Sequence, residues 1–147
     1  MSYITNADIE ERLGTALYIQ LTDDTGTGSA DTDVVDSARD EAEGEANSYL
    51  AQRYKVPVDL SIYPELAEVL KGFTLDLVEY RLHTRRPPVT DDVVAKHEAS
   101  VEWFRDVAEG EVSLPAATTV SPNTASGRRG QAVGDDRLLS RGELDAY

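Results

Sequence analysis

The chain has 147 residues, which is enough for one domain, or for one domain and a tail. Its formal net charge of −14 predicts a surface that repels nucleic-acid phosphates and anionic membranes rather than binding them. The absence of cysteine excludes disulfides and thiolate metal sites. No apolar run approaches the roughly 18 residues of a membrane span, and the N-terminus lacks a secretion signal, so we expect a soluble, cytoplasmic product.

Two short helices are predicted near the N-terminus. Thr5 and Asp8 have the spacing of a capping box, which predicts a helix at about Asn6–Leu13. Gly14 tolerates the left-handed conformation that ends a helix. The apolar run of residues 16–21 fits either a helical turn or a short strand, and we favour the helix.

The stretch Thr32–Pro57 is predicted to form the central helix. Thr32 or Asp33 can cap its start, and Pro57 should end it by pushing Val56 out of helical geometry. Its apolar and small residues recur at steps of three and four and form one stripe: Val34, Val35, Ala38, Ala42, Ala46, Tyr49, Leu50 and Tyr54. The opposite face must be solvated or face cations, because it carries Asp36, Asp40, Glu41, Glu43 and Glu45.

Two further helices are predicted before residue 111. Pro64 suits the first position of one helix, Gly72 inside it would permit close helix contact, and Pro87 forbids its continuation. Its apolar face is predicted to contain Leu66, Val69, Leu70, Phe73, Leu77 and Tyr80, with Val78 as a further candidate. The last helix begins after a cap at Thr90 or Asp91 and ends at Gly110. Its predicted stripe is Val94, His97, Val101, Phe104 and Ala108.

Composition changes near Leu114, where we place a domain boundary. The whole formal charge lies in residues 1–114, whereas four arginines and four acids cancel in residues 115–147. The predicted fold is all-α: a small bundle of four to five helices in 1–114, with a long extended C-terminal arm in 115–147. The arm lacks enough apolar residues to fold alone, so we expect it to become ordered on assembly. Its predicted partner-binding residues are Arg128, Arg129, Arg137, Leu138, Leu139, Arg141, Leu144 and Tyr147.

The sequence contains no strong signal for catalysis or metal binding. The loop Asp23–Asp31 has some calcium-loop spacing, but the position of the bidentate Glu is occupied by Val34, so we expect a turn-rich loop without a cation. His83 and His97 have no spacing typical of a catalytic triad. Arg85 and its neighbour Arg86 are either solvated loop charges or a docking site for an acidic surface. We therefore expect no enzyme activity, no cofactor and no metal.

Four segments of residues 1–114 together resemble one known family. In order and spacing they are similar to segments of the small head-to-tail adaptor (connector) proteins of Mu-like tailed phages. The four segments are YITNADIEERLG, LYIQLTDDTGTGSADTDVVDSA, EANSYLAQRYKVPV and VEWFRDVAEGEVSL. The segment after Leu114 lies outside this resemblance. An all-α fold of four or five helices is what the resemblance implies.

The resemblance also implies a structural role in the virion. Such adaptors form a homo-oligomeric ring, commonly twelve-fold, between the portal protein and the stopper or tail terminator, and a C-terminal arm grips the portal. The expected location is the virion neck, after assembly in the host cytoplasm, with DNA passing through the ring without specific binding and with no membrane contact. The acid run Asp31–Glu45 is then either a solvated helix face or a negative wall past which DNA slides. The alternative is a small acidic inhibitor or DNA mimic that blocks a cationic cleft.

Overall fold

The computed structural model describes residues 2–114 and Thr119, and this part of the chain contains five helices. They are α1 Asn6–Leu13, α2 Thr15–Thr22, α3 Thr32–Leu50, α4 Pro64–Thr84 and α5 Asp91–Glu109. The described residues form no strand, although one isolated antiparallel bridge pairs Tyr54 with Thr119. The predicted all-α fold with four to five helices is therefore confirmed.

The core lies where α3, α4 and α5 pack against one another, and α1 and α2 lie against α3 and α4. Phe104 of α5 is fully buried at its centre. Its ring lies 6.3 Å from that of Tyr49 and 6.4 Å from that of Phe73, measured between centroids. Fully burying one large apolar side chain contributes roughly 1.5–3 kcal/mol, so this aromatic cluster anchors the three long helices to one another.

The predicted bounds of α1 are confirmed, together with its capping box. The Thr5 hydroxyl accepts the Asp8 N–H at 3.3 Å, and the Asp8 carboxylate accepts the Thr5 N–H at 2.8 Å. Gly14 has φ +79°, which ends α1 and lets α2 begin at once in a new direction. The apolar run of residues 16–21 lies within α2, so the preference for a helix there is also confirmed.

The small-residue stripe of α3 and its start at Thr32 are confirmed, but the predicted capping residue and the predicted C-terminal end are wrong. Ala38, Ala42 and Ala46 are buried, and this allows α4 and α5 to approach closely. The N-cap is Asp31, whose carboxylate accepts the N–H of Asp33 at 3.0 Å.

At its other end, α3 stops at Leu50, well before Pro57. The N–H groups of Gln52 and Arg53 donate to the carbonyls of Tyr49 and Leu50, which tightens the chain into turns. These turns place Tyr54 in the core, where it is 3% exposed. We therefore attribute the end of α3 to the packing of Tyr54 and not to Pro57, which lies further along the chain.

The predicted start of α4 at Pro64 is confirmed, whereas two details of its packing are wrong. Val69, predicted to lie on the apolar face, is 43% exposed. A Cβ placed on Gly72 would meet nothing within 4 Å, so this glycine does not serve close helix contact. Leu70, Leu77 and the further candidate Val78 are buried as predicted, whereas Thr74 and Leu75, which were not predicted, share that buried side of α4.

Phe104 is buried as predicted, but the rest of the buried stripe of α5 is rotated from the predicted one. Its buried residues are Val93, Ser100, Phe104 and Val107, whereas Val94, Val101 and Ala108 are only half-buried. The helix carries valines on two adjacent faces, and packing against α3 and α4 selects between them. Gly110, with φ +95°, ends α5 as predicted.

Candidate functional site

The eight predicted partner-binding residues, Arg128 to Tyr147, lie outside the described residues. Their role and the domain boundary at Leu114 stay predictions. The described residues at the start of this part of the chain are Leu114 and Thr119. Leu114 is buried, and its N–H donates to the Tyr54 hydroxyl at 2.9 Å. Thr119 then pairs with the backbone of Tyr54. Thr119, which belongs to the predicted arm, thus lies against the helical body.

The loop between α2 and α3 is organised around the carboxylate of Asp23. One oxygen accepts the N–H groups of Thr25, Gly26 and Thr27 at 3.2, 2.7 and 3.1 Å, and the other accepts that of Gly28 at 2.7 Å. These bonds, led by that of Gly28, lower the pKa of Asp23. Backbone N–H groups of the loop thus surround the oxygens that a calcium loop would direct at the ion. This geometry is the turn-rich loop that the sequence predicts.

The basic pair Arg85 and Arg86 holds the same loop against the end of α4. Arg85 donates to the Leu21 carbonyl at 3.0 Å and to the Asp24 carboxylate at 2.5 Å. Arg86 donates to the Asp23 carbonyl at 2.7 Å. Both side chains therefore have an intramolecular role, which neither of the two sequence hypotheses included.

Much of the acid run on α3 is engaged within the protein. Glu43 accepts the N–H groups of Tyr3 and Ile4 at 2.8 and 3.2 Å, and so fixes the N-terminal segment. Glu41 and Glu45 both receive the guanidinium of Arg81, at 2.9 and 2.6 Å. This face of α3 is consequently neither a fully solvated surface nor an uninterrupted negative wall.

An acidic stripe on α5 is the surface feature that the sequence reasoning missed. Its members are Asp91, Glu98, Glu102 and Glu109, and all four are exposed. Their spacing of seven, four and seven residues places them on one face of a helix, within about 40° of one another at 100° per residue. That spacing is visible in the sequence, but a search for contiguous acid runs does not detect it.

An apolar pocket opens beside the N-terminal half of α4. It has a volume of about 180 Å³ and is lined by apolar side chains, Val58, Leu60, Ala67 and Leu70, together with Ser2, Tyr3, Asp59 and Ser61. Two residues that follow Ser61 in the segment between α3 and α4, here called the linker, are exposed. The exposed fraction is 79% for Ile62 and 45% for Tyr63. Large apolar side chains beside a concave apolar surface are typical of a protein interface.

Two half-buried titratable groups, Asp76 and His97, have structural partners. Asp76 accepts the Ser100 hydroxyl at 3.0 Å and forms an ion pair with Arg12, which ties α1, α4 and α5 together. Burial raises the pKa of Asp76, against the lowering effect of Ser100 and Arg12. His97 stacks on Tyr80, with ring centroids 3.9 Å apart.

The described residues contain no group of three His, Asp or Glu side chains that could hold a metal ion. None of the five helices is long and apolar enough to cross a membrane.

Comparison with known proteins gives one result. The family model described as bacteriophage Mu, Gp36 matches residues 3–132. The match continues past Leu114, so the prediction that the resemblance ends there is wrong. No curated protein matches the chain. Because the family model covers most of the sequence, from before α1 to beyond the last described residue, the chain belongs to the bacteriophage Mu Gp36 family.

Proposed function

We propose that this phage protein is a non-enzymatic connector that forms a ring, twelve-fold in the simplest case, between the portal and the stopper or tail terminator. Membership of the Mu Gp36 family supports a structural or morphogenetic role in a phage. The observation that carries the proposal further is the exposed apolar surface of Ile62 and Tyr63 beside an open apolar pocket. A subunit with such a surface gains stability when another chain covers it.

The acidic stripe on α5 suits the lining of a DNA channel. Carboxylates repel phosphates, so a wall of exposed acids would let DNA slide without binding. The α5 stripe serves this role better than the α3 acid run, because Glu41, Glu43 and Glu45 already receive internal partners. In this proposal, α5 faces the channel in the virion neck.

The eight residues from Arg128 to Tyr147 remain our proposed contacts to the portal and to neighbouring subunits. To test them, the chain is ended after Thr119, which keeps the buried Leu114 and the bridge to Tyr54. We expect this variant to keep its helical circular dichroism, because all five helices of the described residues and their core are retained. We also expect it to fail to join portal-containing heads in a sedimentation assay. Incorporation at the level of the full chain would contradict the proposed role of these residues.

The acidic stripe also favours a second candidate, a DNA mimic that blocks a cationic cleft. Four carboxylates in a row on a helix could imitate a phosphate backbone. A pull-down from infected cells separates the two functions. The connector should retain portal and tail-completion proteins, whereas a mimic should retain a nuclease or a DNA-binding repressor.

A further inference from the structure

The apolar pocket beside α4 and the exposed isoleucine of the linker form one surface. The apolar lining of the pocket consists of Val58, Leu60, Ala67 and Leu70. Ile62, which is 79% exposed, directly follows the linker part of this lining. One residue of the lining, an aspartate, is charged, so apolar contact rather than charge determines what binds here.

The part of the chain outside the described residues begins beside this surface. The N–H of Leu114 donates to the Tyr54 hydroxyl at 2.9 Å, and Thr119 forms a bridge with Tyr54. Val58, the pocket residue nearest to Tyr54 along the chain, follows it by four residues and therefore lies within about 14 Å of it. Residues 120–147 are thus covalently held next to the pocket of their own chain.

This C-terminal part of the chain contains one pair of adjacent leucines, Leu138 and Leu139. Two acids offset two arginines in residues 135–141, so the pair approaches the pocket without electrostatic help or hindrance. The chain from Thr119 to Leu138 can span up to about 63 Å when extended, so the pair can reach the pocket. Tethering gives the pair an effective concentration on the order of 1 mM at its own pocket. In a micromolar solution, the pocket of another copy is far less accessible to it.

We infer that, in the free subunit, Leu138 and Leu139 cover the apolar pocket and Ile62 of their own chain. This inference rests on the proposed function, because assembly must then exchange the intrachain contact for contacts to the portal or to a neighbouring subunit. The apolar surface stays covered until a partner is present, which limits premature self-association. The C-terminal segment thereby regulates the surface on which the proposed ring depends.

An engineered pair of cysteines can test the contact in the full-length protein, because the chain has none of its own. Ser61→Cys places a thiol at the pocket, and Ser140→Cys places one beside the two leucines, which are both kept. We expect mild oxidation of the dilute double variant to give an intrachain disulfide at a rate that does not depend on protein concentration.

The matched control carries Ser48→Cys together with Ser140→Cys. Ser48 is exposed on α3 and lies six residues before Tyr54, whereas Ser61 is exposed and lies seven residues after it. Because the two serines are similarly close to Tyr54 along the chain, tethering alone would favour neither. The control pair should therefore form its disulfide at least about fivefold more slowly.

A second measurement uses chains without engineered cysteines. The dye anilinonaphthalene sulfonate fluoresces on exposed apolar surface, so it reports whether the pocket is covered. Leu139→Asp should raise the dye fluorescence at least about twofold, because the pocket and Ile62 become uncovered. Leu144→Asp makes the same chemical change in the same C-terminal part of the chain and should leave the fluorescence unchanged.

Three results would overturn the inference: equal disulfide rates at Ser61→Cys and Ser48→Cys, a disulfide that forms only between chains, or equal dye responses of the two aspartate variants. Incorporation of the wild-type chain into portal-containing heads is measured separately. Normal incorporation without a preference for Ser61→Cys would reject the intrachain contact alone. A clear preference for Ser61→Cys, with the wild-type chain absent from the heads, would reject the proposed function.

Discussion

At the scale of single residues, two glycines show how the same residue serves different conformations. Gly110 has φ +95°, and a Cβ there would collide with the guanidinium of Arg53. Gly72 lies inside α4, and a Cβ there would meet nothing within 4 Å. Position 110 requires glycine. At position 72, glycine only adds conformational freedom to the unfolded chain, and this weakens the helix.

The pair Gly110→Ala and Gly72→Ala should therefore change stability in opposite directions. We expect Gly110→Ala to lower the free energy of unfolding by about 1–2 kcal/mol, since alanine is strained at positive φ. Gly72→Ala should raise it by about 0.5–1 kcal/mol. Urea unfolding followed by circular dichroism measures both. A destabilised Gly72→Ala variant would mean that the packing of α4 does require a residue without a Cβ at this position.

Asp8 links the cap of α1 to α4, and its ionisation should make stability depend on pH. Burial raises the pKa of Asp8, but the bonds from Lys71 and Thr5 outweigh burial, so its pKa in the folded protein is lowered. The stabilisation is therefore complete above the unfolded-state pKa near 3.8 and is lost as the pH falls through the lower, folded-state value.

The substitution Asp8→Asn tests this linkage. At pH 7 the variant should be less stable than the wild type by about 1 kcal/mol, as for other lost helix caps. The difference should shrink as the pH falls below about 4, because the wild-type carboxyl is then protonated. Thermal unfolding from pH 7 to pH 3 provides the measurement. A constant difference across this range would show that the charge of Asp8 contributes nothing.

At the scale of elements, the sequence predicts where helices begin more reliably than which face they bury. Capping chemistry is local, so the box at Thr5 and Asp8 and the proline at the start of α4 could be read directly. The end of α3 could not, because Tyr54 ends it through packing with residues distant in sequence, including Leu114. The buried faces of α4 and α5 could not be predicted either. Each helix has apolar residues on more than one face, and packing against the other helices determines which face is buried.

The surface features divide in the same way. The spacing of the α5 acids is local information that was available in the sequence. The engagement of Arg85 and Arg86 with the loop joins residues more than 60 positions apart, so no local pattern could have indicated it. The apolar pocket beside α4 likewise requires the N-terminal segment, the linker and α4 to meet.

The acidic stripe of α5 leads to a prediction about DNA passage. Reversing two of its charges, with Glu98→Lys and Glu102→Lys, should place cations where the proposed channel meets phosphates. We expect phage yield to fall by about tenfold, because the DNA would now adhere to the ring. The control, Asp33→Lys with Asp40→Lys, makes the same change in net charge on exposed residues of α3. Equal losses for the two variants would show that net charge matters and the position of the stripe does not.

At the scale of the whole molecule, two tyrosine hydroxyls join segments that are far apart in sequence. The Tyr3 hydroxyl donates to Asn47 at 2.6 Å and accepts the N–H of Val58 at 2.9 Å. The Tyr54 hydroxyl accepts the buried N–H of Leu114 at 2.9 Å. The two bonds of Tyr3 fix the N-terminal segment and the linker to α3, while the bond of Tyr54 fixes Leu114 to the helical body.

Tyr54→Phe should therefore weaken the attachment of Leu114 to the helical body without disturbing the linker. It leaves the Leu114 N–H buried and unpaired, at an expected cost of about 1–3 kcal/mol. Limited proteolysis should cut more rapidly near residues 111–119, and hydrogen exchange of the Leu114 amide should accelerate. Tyr3→Phe is the matched control, since it removes one hydroxyl at the opposite segment and should accelerate exchange at Val58 instead. Faster exchange at both amides in both variants would mean that the two tyrosines belong to one cooperative unit. The hydrogen bond at Leu114 could then not break while the rest of the helical body stays folded.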